Sequence, residues 1–391
     1  MLTPSKQRYT ILKEKNKFTG RIMKIIAYLR HNPDLTAAGI FALATTILLP
    51  WEPLKIFAGI NFSLLLLLFC LMAIVAGLRE SGLFVSLYQR IFHGEISSRS
   101  LGRFFIFSCF FSSMLITNDV ALIIFVPLAI TILTETRCIR LLIPVVTWQT
   151  IAANMGSTLT PIGNPQNLFI YSHYQLNLAT FLQYTCPVVI ISGIVIYLAT
   201  LGLQNKTVVL PPKENQQLPK KKICWLLLLF TLCLLNVLHF LPSWLLGLLV
   251  IPALGLTRPQ LFRQVDYKLL FLFSFLFVGV GNLTRIPEIS IFAAKILNGH
   301  EFFLSLLLSQ FISNVPATVM LSPYTTAAQP LLLGVNIGGL GTIIASMASV
   351  ISFKAYVGTR HSKTKQYLLS FTAANLGLLF LLLLCKWLLP L

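Results

Sequence analysis

From Thr36 to the C-terminus, apolar runs of about 15 to 25 residues follow one another with short polar breaks between them. Inside hydrocarbon every backbone N–H and C=O must find its partner within the chain. Runs of this length therefore fold as helices spanning a layer about 30 Å thick. Of the 391 residues 56% are hydrophobic and 10% charged, and the mean hydropathy is +0.81. No stretch remains for a separate soluble domain, so the expected fold class is an all-α membrane protein. The basic first thirty residues lack the apolar core of a cleavable leader.

The net charge of +19 does not point to a nucleic-acid partner, because the Lys and Arg residues sit in short loops between apolar runs. There they set orientation and meet lipid headgroups of the surrounding bilayer. The seven cysteines fall singly, with no CxxC or CxxxH spacing, which argues against a disulfide framework or a zinc site. No nucleotide-binding loop, metal-ligand cluster or nucleophile–base pair is visible, so an enzyme is not expected and no cofactor is implied.

Nine full crossings are expected, near 36–50, 54–78, 141–170, 180–203, 223–241, 243–256, 269–284, 327–352 and 367–390. Two further segments, 103–133 and 301–324, are too short for two spans and polar at their middles. Each reads as a re-entrant hairpin reaching the midplane. With a cytoplasmic N-terminus, all but four of the 30 basic residues (Lys55, Arg285, Lys295 and Lys386) then face the cytoplasm. This bias supports the count, and it places the C-terminus on the outer side. Two stretches, 82–93 and 286–298, read as amphipathic helices lying in the interface.

The chain repeats itself. Thr117-Asn118-Asp119-Val120-Ala121 is followed by Pro127, and Ser313-Asn314-Val315-Pro316-Ala317 by Pro323, each nine residues after the Asn. Downstream, Asn154 and Gly156 lead to Thr160, Asn164 and Asn167. Asn336 and Gly338 lead to Thr342, Ser346 and Ser349 at the same offsets. The domains expected are a basic cytoplasmic arm (1–35), repeat 1 (36–203), a cytoplasmic linker with a linking helix (204–242) and repeat 2 (243–391). The extra crossing at 223–241 inverts the second repeat, so the hairpins enter from opposite faces, the plan of secondary transporters.

Polar side chains and broken backbone persist at membrane depth only where protein or a wet cavity satisfies them. At the hairpin tips, Thr117, Asn118, Ser313 and Asn314 offer oxygens and freed carbonyls suited to Na⁺, while helix N-termini favour an anion. Such residues also serve as glue between helices. The run NMGSTLTPIGNPQN (154–167) cannot form a regular span. It reads as a broken helix in which Gly156 and Gly163 let a solute approach the backbone, with Ser157 as a further candidate binding residue; a packing kink is the plainer alternative. Asp119 is the one acidic residue deep in an apolar segment, either a proton or cation ligand or a cap of the hairpin's second arm.

Four motifs, ITNDVALIIFVPL (116–128), NMGSTLTPIGNPQNLF (154–169), QFISNVPATVMLSPYT (310–325) and GGLGTIIASMASVISF (338–353), resemble the ArsB/NhaD-type permeases of the ion transporter superfamily. The compact length is closest to YbiR-type anion permeases. The resemblance implies an elevator-type transporter in the bacterial inner membrane with a small inorganic or organic anion as substrate, Na⁺ or H⁺ as coupling ion, and a homodimer. The Ser-Asn-Thr signature of related dicarboxylate/sodium symporters is similar to residues 117–119 and 313–315, departing at the third position in both. A Na⁺/H⁺ antiporter using Asp119, an arsenite-type efflux permease and a channel are the competing readings. With no Lys or Arg near the motifs, an anion would depend on amide donors, helix ends and co-bound cations.

Overall fold

The computed structural model describes residues 32–50, 52–84, 86, 94–210 and 218–388. The basic N-terminal arm, most of the 82–93 stretch and the centre of the linker (211–217) lie outside them. In chain order the helices are α1 (Pro33–Ile47), α2 (Pro53–Ala58), α3 (Phe62–Glu80), α4 (Ser98–Ile116), α5 (Asn118–Glu135) and α6 (Leu142–Ser157). Next come α7 (Pro165–His173), α8 (Leu178–Leu201), α9 (Lys220–Val237), α10 (Ser243–Thr257), α11 (Tyr267–Leu283) and α12 (Pro287–Leu297). The last are α13 (Glu301–Ile312), α14 (Asn314–Leu321), α15 (Ala328–Ile337), α16 (Met347–Val357) and α17 (Thr364–Leu388). Two short strands, β1 (Glu95–Ser97) and β2 (Thr207–Val209), pair antiparallel.

The chain divides into two compact units. In the first, formed up to Ile60 and by Tyr267–Ile286, α1 and α11 run parallel. Lys268 pairs with Asp34 at one end, and Arg285 with Glu52 at the other, both at 2.7 Å. Between them Asn282 donates to Thr46 Oγ1 at 2.9 Å. The Lys55 ammonium, hydrogen-bonded to Glu52, holds that carboxyl below its usual range, with Arg285 adding to the effect.

The second unit, Asn61–Asp266 with Pro287–Leu391, carries both hairpins and both broken helices. Its core lies where α6, buried along almost its whole length, packs against the arms α4 and α5. Gln149 on α6 donates to Phe105 O (3.4 Å) and Phe125 O (3.1 Å), joining one arm to the other.

Helix ends follow the local chemistry. Asn61, Asn164 and Asn177 cap α3, α7 and α8 by accepting from the backbone N–H three residues on, satisfying donors that a helix start leaves free. Pro165 occupies the first position of α7, where a missing N–H costs nothing.

Three expectations change. The first hairpin is wider than 103–133: Ser97 caps α4, and the arms α4 and α5 have 19 and 18 residues. Each is long and apolar enough to cross a membrane alone, so shortness does not make this segment re-entrant. In the second hairpin the arms have only 12 and 8 residues. Length and apolarity mark five single crossings among the described residues, α3, α4, α5, α8 and α17, where the charge pattern asks for nine. Finally, the start of the linker is not free, because β2 is bonded to β1 and Ser98 N donates to Lys206 O at 2.7 Å. In the 286–298 stretch, α12 exposes Ile291 and Phe292.

Candidate functional site

Each hairpin reverses on a single residue, and the two reversals share one backbone geometry. Thr117 has φ 75° and ψ 150°; Ser313 has φ 74° and ψ 156°. This region is almost reserved for glycine and costs about 1–3 kcal/mol for a residue with a Cβ. Strain of that size at two repeat-related positions is retained by its surroundings, and in each case it sets an Asn as the first residue of the following helix. Thr117→Gly is expected to raise thermal stability by about 1 kcal/mol while weakening function through loss of the hydroxyl. A drop in melting temperature would show that the strain is not there.

The two broken helices also correspond. After α6 a short 3₁₀ turn (Pro161–Gly163) precedes α7, and after α15 another (Ile343–Ala345) precedes α16. Thr160 Oγ1 donates to Met114 O, and Thr342 Oγ1 to Gln310 O at 3.1 Å, the same bond from break to hairpin arm in each half. Gly156 and Gly338 face those arms too. A Cβ on Gly156 would lie 2.1 Å from Phe110 O, and one on Gly338 2.9 Å from Leu306 Cα. These glycines therefore make room for the hairpin backbone; for Gly156 this differs from the solute approach expected from sequence.

Two amide clusters join the halves. In the first, Asn154 Oδ1 accepts from Asn118 Nδ2 (3.2 Å) and Ser346 Oγ (3.0 Å), while its Nδ2 reaches Gly339 O at 3.4 Å. In the second, Asn336 Oδ1 accepts from Asn164 Nδ2 (3.1 Å) and Thr158 Oγ1 (3.3 Å), and its Nδ2 donates to Asn167 Oδ1 (2.6 Å) and Leu332 O (2.8 Å). Exchanging the repeats turns the Asn154–Ser346 bond into the Asn336–Asn164 bond. Ser157 supports the second cluster, accepting from Asn164 Nδ2 at 3.2 Å.

The clusters differ in what they leave open. Asn167 Nδ2 donates to Ser157 O (3.1 Å), Thr158 O (3.3 Å) and Thr160 O (3.1 Å), closing the first break. Its counterpart Ser349 is fully buried, and its hydroxyl has no hydrogen-bond partner among the described residues. Ser313 Oγ lies 3.4 Å from Ala345 O, bringing the second tip to the second break. The Asp119 carboxylate takes no hydrogen bond or ion pair from the described residues, while its backbone N–H donates to Asn118 Oδ1 at 2.9 Å.

Of the residues singled out from sequence, Asn118, Asn154, Ser157, Asn164, Asn167, Ser313, Asn314 and Ser346 gather around these clusters. Thr160 and Thr342 pin the breaks. Asn336, Thr158 and Gln310 were missed as site residues. Asn336 was legible as the repeat partner of Asn154; Gln310, which donates to Gly338 O (2.7 Å) and Leu340 O (2.9 Å), has a Met at its repeat position and gave no signal.

Long apolar helices around a buried, amide-rich centre of broken backbone define a multi-pass membrane protein. The profile of a citrate transporter family matches residues 23–351, and the chain belongs to that family. It is similar to "Uncharacterized transporter MJ0456" of Methanocaldococcus jannaschii, 35% identical over 318 residues, 81% of this chain and 86% of that one. "Inner membrane protein YbiR" of Escherichia coli is 30% identical over 329 residues, 81% of this chain and 85% of its own. The "46 kDa membrane protein" of Mycobacterium leprae is 26% identical over 342 residues, 75% and 78%. The protein is a membrane transporter, as the four motifs led one to expect, and its apolar helices meet lipid.

Proposed function

We propose that the protein is a secondary active transporter of a small anion, coupled to Na⁺ or H⁺ and working by elevator-type alternating access between inverted repeats. The observation that carries this reading is the pairing of two identically strained hairpin tips with two broken helices around shared amide clusters. Half-helix N-termini at Asn118, Asn314 and Met347 offer donors to an anion, and half-helix C-termini offer carbonyls to a cation. None of the tip or break residues is Lys or Arg. An anion bound there needs its charge balanced by the coupling ion, and the family's description makes a carboxylate the first candidate. The basic loops support a cytoplasmic N-terminus, and the similarity to the Escherichia coli inner membrane protein supports a bacterial inner-membrane setting.

We place the coupling cation at the second break. Ser349 is the third residue of α16, as Asn167 is of α7, so the position filled by the Asn167 amide is left to a shorter side chain with an unspent oxygen. Ser349→Asn is expected to fill it and to weaken apparent Na⁺ affinity about tenfold, equivalent to about 1.4 kcal/mol, with folding intact. Unchanged Na⁺ dependence would move the cation elsewhere.

A thermal-shift screen of small anions with and without Na⁺ tests the whole reading, since a ligand that binds the folded state stabilises it by mass action. Stabilisation by an anion that grows with Na⁺ or with falling pH is expected; none with any anion would overturn it. The placement of Asp119 deep in an apolar segment favours a second reading, cation/proton exchange. Unaltered exchange in Asp119→Asn would remove that reading.

A further inference from the structure

On the outer side of the first hairpin arm, α4 and α8 enclose an open groove of about 420 Å³ lined by Ser100, Arg103, Phe104, Phe107, Phe111 and Tyr197. One end is basic. Arg103 donates its Nε to Thr200 Oγ1 at 3.1 Å and lies 4.8 Å from the Tyr197 ring centre. One turn before Arg103 on α4, beyond the lining residues, Arg99 donates its Nε to Leu203 O at 3.0 Å. Each guanidinium is thus fixed through Nε, and among the described residues its terminal amino pair takes no hydrogen bond or ion pair, the fork that matches a phosphate. The other end is aromatic and open to lipid: Phe107 packs on Phe111 at 5.8 Å, and Phe111 is 59% exposed. No acidic side chain lines the groove.

A fork of oriented arginines at the end of a helix, continuous with an apolar channel running along that helix, fits a ligand that is anionic at one end and a hydrocarbon chain at the other. We infer that this groove binds an anionic diacyl phospholipid, with its phosphate on Arg99, Ser100 and Arg103 and one acyl chain along Phe104, Phe107 and Phe111. The lipid bridges the first hairpin arm to α8, so it braces the base of the segment whose tip carries Thr117 and Asn118. This is independent of which solute is carried.

The test is thermal unfolding of purified full-length protein with added phosphatidylglycerol, phosphatidylcholine or glycerol phosphate, together with mass spectrometry of lipid retained through purification. Phosphatidylglycerol is expected to raise the melting temperature, with phosphatidylcholine and chain-free glycerol phosphate giving little. Arg99→Gln/Arg103→Gln is expected to lose that rise and the retained lipid. Lys220→Gln/Lys221→Gln, which removes the same charge from the exposed start of α9, keeps both. Arg103→Lys, a safeguard against misfolding, retains charge without the fork and falls between. An equal rise with phosphatidylcholine, an undiminished rise in the double arginine variant, or an equal loss in the lysine variant would each overturn the proposal. A full rise with glycerol phosphate would show a phosphate site without an acyl channel, and would overturn it as well.

Discussion

Replacing Gly156 with alanine is expected to abolish transport and to lower the yield of folded protein. The new Cβ would fall 2.1 Å from Phe110 O and 2.7 Å from Ser113 Oγ. Neither can step aside cheaply: Phe110 O belongs to the backbone of α4, and Ser113 is buried, its hydroxyl donating back to that same carbonyl at 2.9 Å. Overpacking in a well-filled core costs about 1–3 kcal/mol and more where backbone is the obstacle, so about 3 kcal/mol or more is expected here. Displacing α4 from α6 would also stretch the Thr160–Met114 bond and shift the Thr117 tip. Gly338→Ala should repeat the effect more mildly, with its nearest hairpin atom at 2.9 Å. Gly377→Ala is the control, because nothing lies within 4 Å of its Cβ and alanine favours a helix by about 0.5–1 kcal/mol. Melting temperature and monodisperse yield of the three variants give the comparison; a harmless Gly156→Ala would mean that α4 and α6 do not meet this closely.

The second large effect is expected at Asn336. Leucine there removes an acceptor used by Asn164 and Thr158 and a donor used by Asn167 and Leu332 O. All four partners are buried, and water cannot replace what they lose. Each stranded buried group costs about 1–3 kcal/mol, and some will find new partners, so a net loss of about 3–5 kcal/mol is reasonable for a broken buried network. Asn154→Leu removes the corresponding amide from the looser cluster, whose weakest bond is 3.4 Å. It should cost less stability and more function. Equal destabilisation of the two variants, read from melting temperatures, would contradict the division into a closed cluster and an open one.

Much of this was legible in the sequence, for a definite reason. A polar residue inside hydrocarbon has no solvent to hide in, so Asn118, Asn314, Asn154, Asn164 and Asn167 announce buried partners. Their repetition at fixed offsets told which pairs would share a local geometry, and the 3₁₀ turns at 161–163 and 343–345 fall at matching positions. What could not be read was anything set by the partner across space. Thr117 and Ser313 hold a conformation that their own side chains oppose, so nothing local forecasts it. Gly156 and Gly338 look alike whether they make room for a solute or for a helix. The first hairpin begins five residues earlier than its apolar run suggests, because Ser97, Ser98 and Ser100 read as loop while Ser97 in fact caps the helix. The pairing of Glu95–Ser97 with Thr207–Val209 joins segments more than a hundred residues apart, which hydropathy does not register.

The most direct measurement is flux in proteoliposomes holding purified protein, with radiolabelled citrate or another small carboxylate outside and a Na⁺ or proton gradient imposed. Uphill accumulation that collapses when the gradient is dissipated, and that is lost in Asn154→Leu while the variant remains folded, is the expected result. Downhill leak at a rate independent of both gradients, or accumulation unchanged in Asn154→Leu, would contradict a coupled carrier working through the paired tips and breaks.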